Sequence, residues 1–309
     1  MTTNKLSIPV PAFENAIGDI DYPFTNDFMF HVVLEENKSV LRKLLCSLLH
    51  MHPEEIKSVE IQNPIDYGRS ITDKKVILDL KLLLNNSKIV DIEMQVINKG
   101  DWPARSVIYL CRSYDNVLGG EEYDSVNPAH QISILDFDLF DEEPEFYSTH
   151  HLRNDRTGRI YTSNFTLSVL NLRRVDLATD EDKKWKIDKW ATLFKAKTWE
   201  DLRMIAAQDE EMTIASKALY KKNQDKYARI WAQAHEDFLA EERMLVNRVK
   251  DAESKAEQAE SKAKQAESKA EQAESKAKQA ESKAEQAEST VEHLRALLIA
   301  NNIDPDSTL

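Results

Sequence analysis

The segment Val76–Ile97, VILDLKLLLNNSKIVDIEMQVI, decides how the rest of the chain is read. Taken with a period of two, it is a pair of strands around the polar turn Asn85-Asn86-Ser87-Lys88. Val76, Leu78, Leu80, Leu82 and Leu84 fall on one face of the first strand, and Val90, Ile92, Met94 and Val96 on one face of the second. The opposite faces carry Asp79 and Lys81, then Asp91, Glu93 and Gln95. Asp79 and Glu93 stand opposite each other only if the loop is odd in length or bulged. Two accounts fit the alternation: a hairpin with one solvated face, and a pair of acids placed to hold a divalent metal.

Upstream, Thr25, Asn26 or Asp27 is placed to cap a helix over the apolar run FMFHVVL. A second helix is expected over Ser39–His50, where Val40, Leu41, Leu44, Leu45, Leu48 and Leu49 recur at helical spacing. A strand at Val59–Asn63 and a polar, glycine-containing loop at Tyr67–Asp73 lead into the hairpin. Downstream, Pro103 opens a helix through about Val117 that ends at Gly119-Gly120. Arg105, Tyr109 and Arg112 share one face of it. Strands are expected at Gln131–Leu139, Tyr147–Arg153 and Tyr161–Leu172, and helices from Asp180 onward, anchored by Trp185, Ile187, Trp190, Leu193, Phe194 and Trp199. The acidic run from Asp136 to Glu143 reads as a solvated strand edge, and the tryptophans as core.

Residues 252–290 repeat every seven, AESKAEQ alternating with AESKAKQ. With Ala252 at position d, every e position from Glu253 to Glu288 is glutamate and every g position from Lys255 to Lys283 is lysine. In a parallel dimer g faces e′ of the next heptad, which pairs Lys with Glu throughout; in an antiparallel dimer like charges meet. If the helix associates, the code therefore favours parallel over antiparallel pairing; the alternative is a solvated single helix acting as a spacer.

The chain has 309 residues and a formal charge of −13, unlike a basic nucleic-acid coat protein. Metal-binding carboxylates and an acidic helix lower the total, so a nuclease is not excluded. There is no long apolar run to cross a membrane and no apolar leader core, so a cytoplasmic location and no membrane partner are expected. Cys46 and Cys111 both lie in apolar helical contexts and read as buried, reduced thiols. The division expected is a flexible arm at 1–20, an α/β core with a mixed sheet at 21–175, a helical subdomain at 176–240, a long heptad-repeat helix at 241–301 and a tail at 302–309.

Asp79 followed by Glu93-Met94-Gln95 is D-x13-E-x-Q on a hairpin. It resembles the PD-(D/E)XK nuclease core. Pro23-Phe24-Thr25-Asn26-Asp27-Phe28-Met29-Phe30, Lys75–Asp79, Asp91–Gln95, Arg105 with Tyr109, Tyr123…Val126…Ile132 and Trp190-Ala191…Leu193-Phe194 resemble one branch of that superfamily, over roughly residues 20–230. This branch is the Rpn-type recombination-promoting nucleases, the PD-(D/E)XK nuclease family transposases.

The resemblance implies a restriction-endonuclease-like fold and metal-dependent cleavage of DNA, linked to recombination, mobile elements or defence. It implies that Asp79, Glu93 and the Met94 main-chain carbonyl ligate Mg²⁺, with Mn²⁺ as a substitute, and that Asp27 completes the site from the first helix. Where the superfamily has lysine this chain has Gln95, which can orient a water but cannot take its proton at neutral pH. Lys81 is a candidate for the missing charge, and Arg105 and Tyr109 for phosphate contacts. A second reading keeps the fold without catalysis, as a binding or scaffold protein that oligomerises through its coil.

Overall fold

The computed structural model describes residues 12–63, 79–117, 120–140 and 142–300, together with the backbone of 65–66 and 76–77. The expected loop at Tyr67–Asp73, Lys75, Leu78, Gly119 and the tail 302–309 lie outside the described residues, as do 1–11 of the expected arm.

Asn26 accepts a hydrogen bond from the Met29 N–H and so caps α1 (Asp27–Glu36), which buries Met29, Phe30, Val33 and Leu34. Helix α2 (Lys38–Leu48) follows and buries Val40, Leu41, Leu44, Leu45 and Leu48, the stripe its spacing predicts. The sheet then forms from β1 (Val59–Ile61), β4 (Leu80–Leu84), β5 (Lys88–Gln95), β6 (Ala129–Leu135), β7 (Tyr147–His151) and β8 (Phe165–Asn171). Its order is β1-β4-β5-β6-β8-β7. The β5, β6 and β8 strands are parallel, and the outer pairings are antiparallel. The parallel step from β5 to β6 requires a crossover, which α3 (Trp102–Tyr114) supplies. This mixed sheet with its crossover helix is the restriction-endonuclease-like α/β arrangement.

The stretch Val76–Leu84 is not one strand. β3 (Val76–Ile77) pairs with β2 (Ile65–Asp66) in a separate two-stranded sheet, and β4 begins only at Leu80. Asp79 occupies the bend between them, where its N–H donates to the Glu93 side chain (2.9 Å) instead of to a main-chain carbonyl of the neighbouring strand. The β4–β5 register pairs Leu80 with Ile92 and Leu84 with Lys88, so the loop is Asn85-Asn86-Ser87, three residues long. Asn85 and Asn86 both take positive φ, at 53° and 55°. Asparagine tolerates this conformation where bulkier residues do not.

Leu80, Leu82, Val90, Ile92, Met94, Ile132, Ile134 and Leu170 face the main core with α1 and α2. Asp91, Glu93, Gln95, Gln131 and Ser133 alternate with them and so project toward α3. The C-terminal helices complete the first layer: α4 (Asp180–Lys184), α5 (Ile187–Lys195), α6 (Trp199–Ala206) and α7 (Glu210–Gln224). Trp190 is fully buried and its Nε1–H donates to Ser47 on α2 (3.1 Å). Residues 176–240 therefore share the sheet's core, and residues 1–243 form one compact unit, with 244–309 a second. The long helix α8 (Lys226–Ala300) begins fifteen residues before the expected 241, because Ala228, Ala232 and Leu239 dock its first turns on the core.

Several local expectations change. Residues 12–20 are held, not loose: Phe13 packs on Trp199 and Tyr220, and the Ile20 N–H donates to the Lys197 carbonyl. Cys46 is buried, but Cys111 is exposed on the outer face of α3; both thiols are free. Asp138 in the acidic run accepts two hydrogen bonds from Arg174 (both 2.7 Å) and one from Asn171 (2.8 Å). Asp136 and Asp138 thus clamp the segment after β8, because they meet Arg173 and Arg174.

Candidate active site

The site forms where β5 ends. Asp79 and Glu93 hold each other through main chain. Glu93 Oε1 accepts from the Asp79 N–H at 2.9 Å, and Asp79 Oδ2 accepts from the Met94 N–H at 2.7 Å. Extending the β4–β5 register by one pair sets Asp79 against Glu93, which the three-residue loop permits. The N–H and C=O of a strand residue leave it on the same side, so the Met94 carbonyl also faces the Asp79 side.

Asp27, first residue of α1, reaches the same point and hydrogen-bonds Asp79 side chain to side chain. Two carboxyls can share such a bond only if one is protonated. Burial pushes Asp79 well above the ordinary carboxylate range, helped by the charges of Glu93 and Asp27. Burial also raises Asp27, against the opposing charges of His235, His31 and Arg105. Glu93 is fully buried and pushed up to about 8 by desolvation, although the Asp79 N–H and the Arg105 charge pull it down.

The side facing α3 carries the cations and polar groups. Arg105 Nε donates to the Tyr109 hydroxyl (2.7 Å), and its Nη1 donates to Gln95 Oε1 (3.3 Å). Its guanidinium also lies 5.1 Å from the Trp102 ring centroid and 5.3 Å from that of Tyr109, so stacking fixes its plane. Beneath them Asp91 is fully buried and accepts from Ser113. Ser133 of β6 lies beside Glu93 in the register.

Asp27, Asp79, Glu93, Gln95, Arg105 and Tyr109 thus converge. Lys81 does not join them: it pairs with Asp91, two residues along the strand from Asp79, about 7 Å. One contributor escaped the sequence reading. His235 of α8 sets Nδ1 3.8 Å from Asp27 Oδ2, and its Nε2 is buried with no hydrogen-bond partner among the described residues. Beside it, Asn26 Nδ2 donates to the Ala232 carbonyl (3.1 Å) and to Glu236 (2.9 Å). The available signal was the spacing of Ala228, Ala232, His235 and Leu239, a small-residue stripe at helical period that includes one histidine.

The donor set suits a hard divalent cation. Glu93 Oε2 is buried and has no hydrogen-bond partner among the described residues, an arrangement costly for a carboxylate unless a cation meets it. Among the described residues no group of three His, Cys, Asp or Glu side chains is already arranged as a ligand cage.

A family model described as PD-(D/E)XK nuclease family transposase matches residues 24–249, and one described as alanine-zipper, major outer membrane lipoprotein, matches residues 240–296. No curated protein and no solved structure matches the chain.

Proposed function

The chain belongs to the PD-(D/E)XK nuclease family of transposases, and from that premise we propose that it is a divalent-metal-dependent DNA endonuclease acting in recombination, mobile-element or defence chemistry. The observation that carries this reading is the buried, unpartnered Glu93 Oε2 among carboxyls whose pKa values are all raised. Such crowding of acids is unfavourable on its own and is relieved by a cation. Asp79, Glu93 and the Met94 carbonyl would hold Mg²⁺, or Mn²⁺ in its place, with Asp27 behind them. When bound, the ion polarises a phosphate oxygen and makes a water more acidic.

The protein groups supply the rest. Gln95 accepts from Arg105 through Oε1, which leaves its amide NH₂ to donate, and it positions a water without taking its proton. Arg105, held by Tyr109 and by stacking, is pre-set to meet a phosphate, and Tyr109 shares that contact. Lys81, opposite Asp91 in the register and about 7 Å along the strand, is left out of this contact. The repeat joins two copies in parallel, so two sites serve two DNA strands. No helix among the described residues is long and apolar enough to cross a membrane. The free thiols of Cys46 and Cys111 accord with a cytoplasmic place.

The test is nicking of supercoiled plasmid with Mg²⁺ or Mn²⁺. Wild type should cut, and Asp79→Asn and Glu93→Gln should each reduce the rate by about 10³-fold or more, the scale of removing an essential electrostatic group. Equal cleavage by all three would overturn the proposal. The charge of −13, with Arg173 and Arg174 directed to Asp136 and Asp138, favours the second reading, a silent scaffold that keeps the fold. Tight Mn²⁺ binding without cleavage of any DNA would support it.

A further inference from the structure

Helix α8 carries two different faces between residues 226 and 243. Ala228, Ala232, His235 and Leu239, spaced four, three and four, turn toward the protein's own core. About 100° round the helix, at 100° per residue, stand Tyr227, Trp231 and Phe238, which are 75%, 64% and 54% exposed. Ile230 adjoins them and is also exposed. Single exposed apolar side chains are ordinary, but three aromatics in one stripe mark a surface that something covers.

The sequence identifies the cover. Trp231, Phe238, Leu245 and Ala252 follow at steps of seven, and Ala252 opens the d positions of the repeat. The aromatic stripe therefore continues the d row of a seam whose g lysines and e glutamates are complementary to a second copy running in parallel, while Ala228 and His235 of the a row stay on the core face. The alanine seam buries little area by itself. Large apolar residues stand only at its ends: Trp231, Phe238, Leu245 and Val249 before it, and Val291, Leu294 and Leu298 after it. The matched alanine-zipper region begins at residue 240, two residues after Phe238, so the stripe ends where that region starts.

We propose that Tyr227, Trp231 and Phe238 form a docking surface for the same residues of a second copy, the N-terminal clamp of a parallel homodimer. The proposal rests on the reading of the repeat as a parallel coil and adds to it that the dimer begins on the nuclease unit itself. Aromatic anchors then supply the affinity, and the charged repeat supplies partner choice and orientation. The interface is isologous: each Trp231 meets its own counterpart.

The experiment is sedimentation of the full-length protein over a dilution series, with two variants. Trp231→Ser with Phe238→Ser alters the clamp. Ala263→Glu, Ala270→Glu and Ala277→Glu together disrupt the seam while keeping strong helix formers. Wild type should be dimeric, and the clamp variant should associate about 30-fold or more weakly, with unchanged helicity and Tm. A clamp variant that associates like wild type while the seam variant dissociates overturns this proposal and leaves the coil standing. A monomeric clamp variant beside a dimeric seam variant shows that the aromatics dimerise without the coil, and overturns the proposal as the clamp of that coil. Monomeric wild type overturns both. A clamp variant that stays dimeric but loses retention on duplex DNA makes the stripe a DNA surface and overturns the proposal. If the serine variant misfolds, Phe238→Cys in a Cys111→Ser background decides: an interchain disulfide on mild oxidation is expected, and its absence refutes the clamp.

Discussion

Glu93 has two oxygens in different circumstances. Oε1 accepts the Asp79 N–H, while Oε2 is buried without a hydrogen-bond partner among the described residues. Its carboxyl, pushed up to about 8 by burial, keeps a proton that the unfolded chain has already released above the ordinary glutamate range. Between those two values the folded state binds the extra proton, so its stability falls as pH rises through the window. Asp79 and Asp27, also raised, act in the same direction. In chelator, the Tm should be higher near pH 5 than near pH 8 by about 3 °C or more, the shift that roughly 1 kcal/mol produces in a domain of this size. Glu93→Gln should flatten that dependence and raise the Tm near pH 8. A wild-type Tm that rises across the interval would show these acids to be ionised in the fold. The acids themselves were legible from alternation, since Asp79 and Glu93 occupy the polar face of a two-period pattern. Their raised pKa values were not, because these depend on Asp27 and on burial beneath α3.

At the scale of elements, Asn26 links two of them. Its Oδ1 caps α1 through the Met29 N–H, and its Nδ2 donates to the Ala232 carbonyl and to Glu236 on α8. Asn26 is fully buried, so Asn26→Ala removes a cap and leaves the Ala232 carbonyl without that donor. The expected loss is about 2–3 kcal/mol in chemical denaturation, the sum of a cap and a buried hydrogen bond. A change below about 0.5 kcal/mol would show that α8 does not depend on this residue for its seat. The cap was visible in the sequence as Asn before an apolar run; the contacts to α8 were not, since the two partners lie 210 residues apart. The hairpin shows the same division. Its odd loop followed from asking two acids to face each other. The break at Asp79, and the separate pairing of Val76–Ile77 with Ile65–Asp66, depend on partners that no local period encodes.

For the whole molecule, the charge pattern of the repeat selects orientation. Within a single helix its lysines already bond glutamates four residues earlier, as at Glu260–Lys264 and Glu274–Lys278 (both 2.7 Å). Such exposed pairs contribute little each, so the g and e′ pairs act mainly against the antiparallel alternative. Ala252→Cys in a Cys111→Ser background should oxidise to an interchain disulfide, because d faces d′ at equal height in a parallel pair. Antiparallel chains would hold the two cysteines far apart, and no crosslink would form. The sequence by itself determined the features that repeat along the chain: the two-faced hairpin, the capped helices, the heptads, and the acids D-x13-E. Side-chain direction recurs with a fixed period in strands and helices, so a pattern of residue types reports a face. Only the tertiary structure decided that α8 brings His235 to Asp27, that Arg105 holds Gln95, that Lys81 stands opposite Asp91 in the register, and that Asp138 is spent on Arg174. These contacts join residues from different elements. Packing of the elements on a common sheet sets them, and the periodicity of any one segment carries no information about which other segment it will meet.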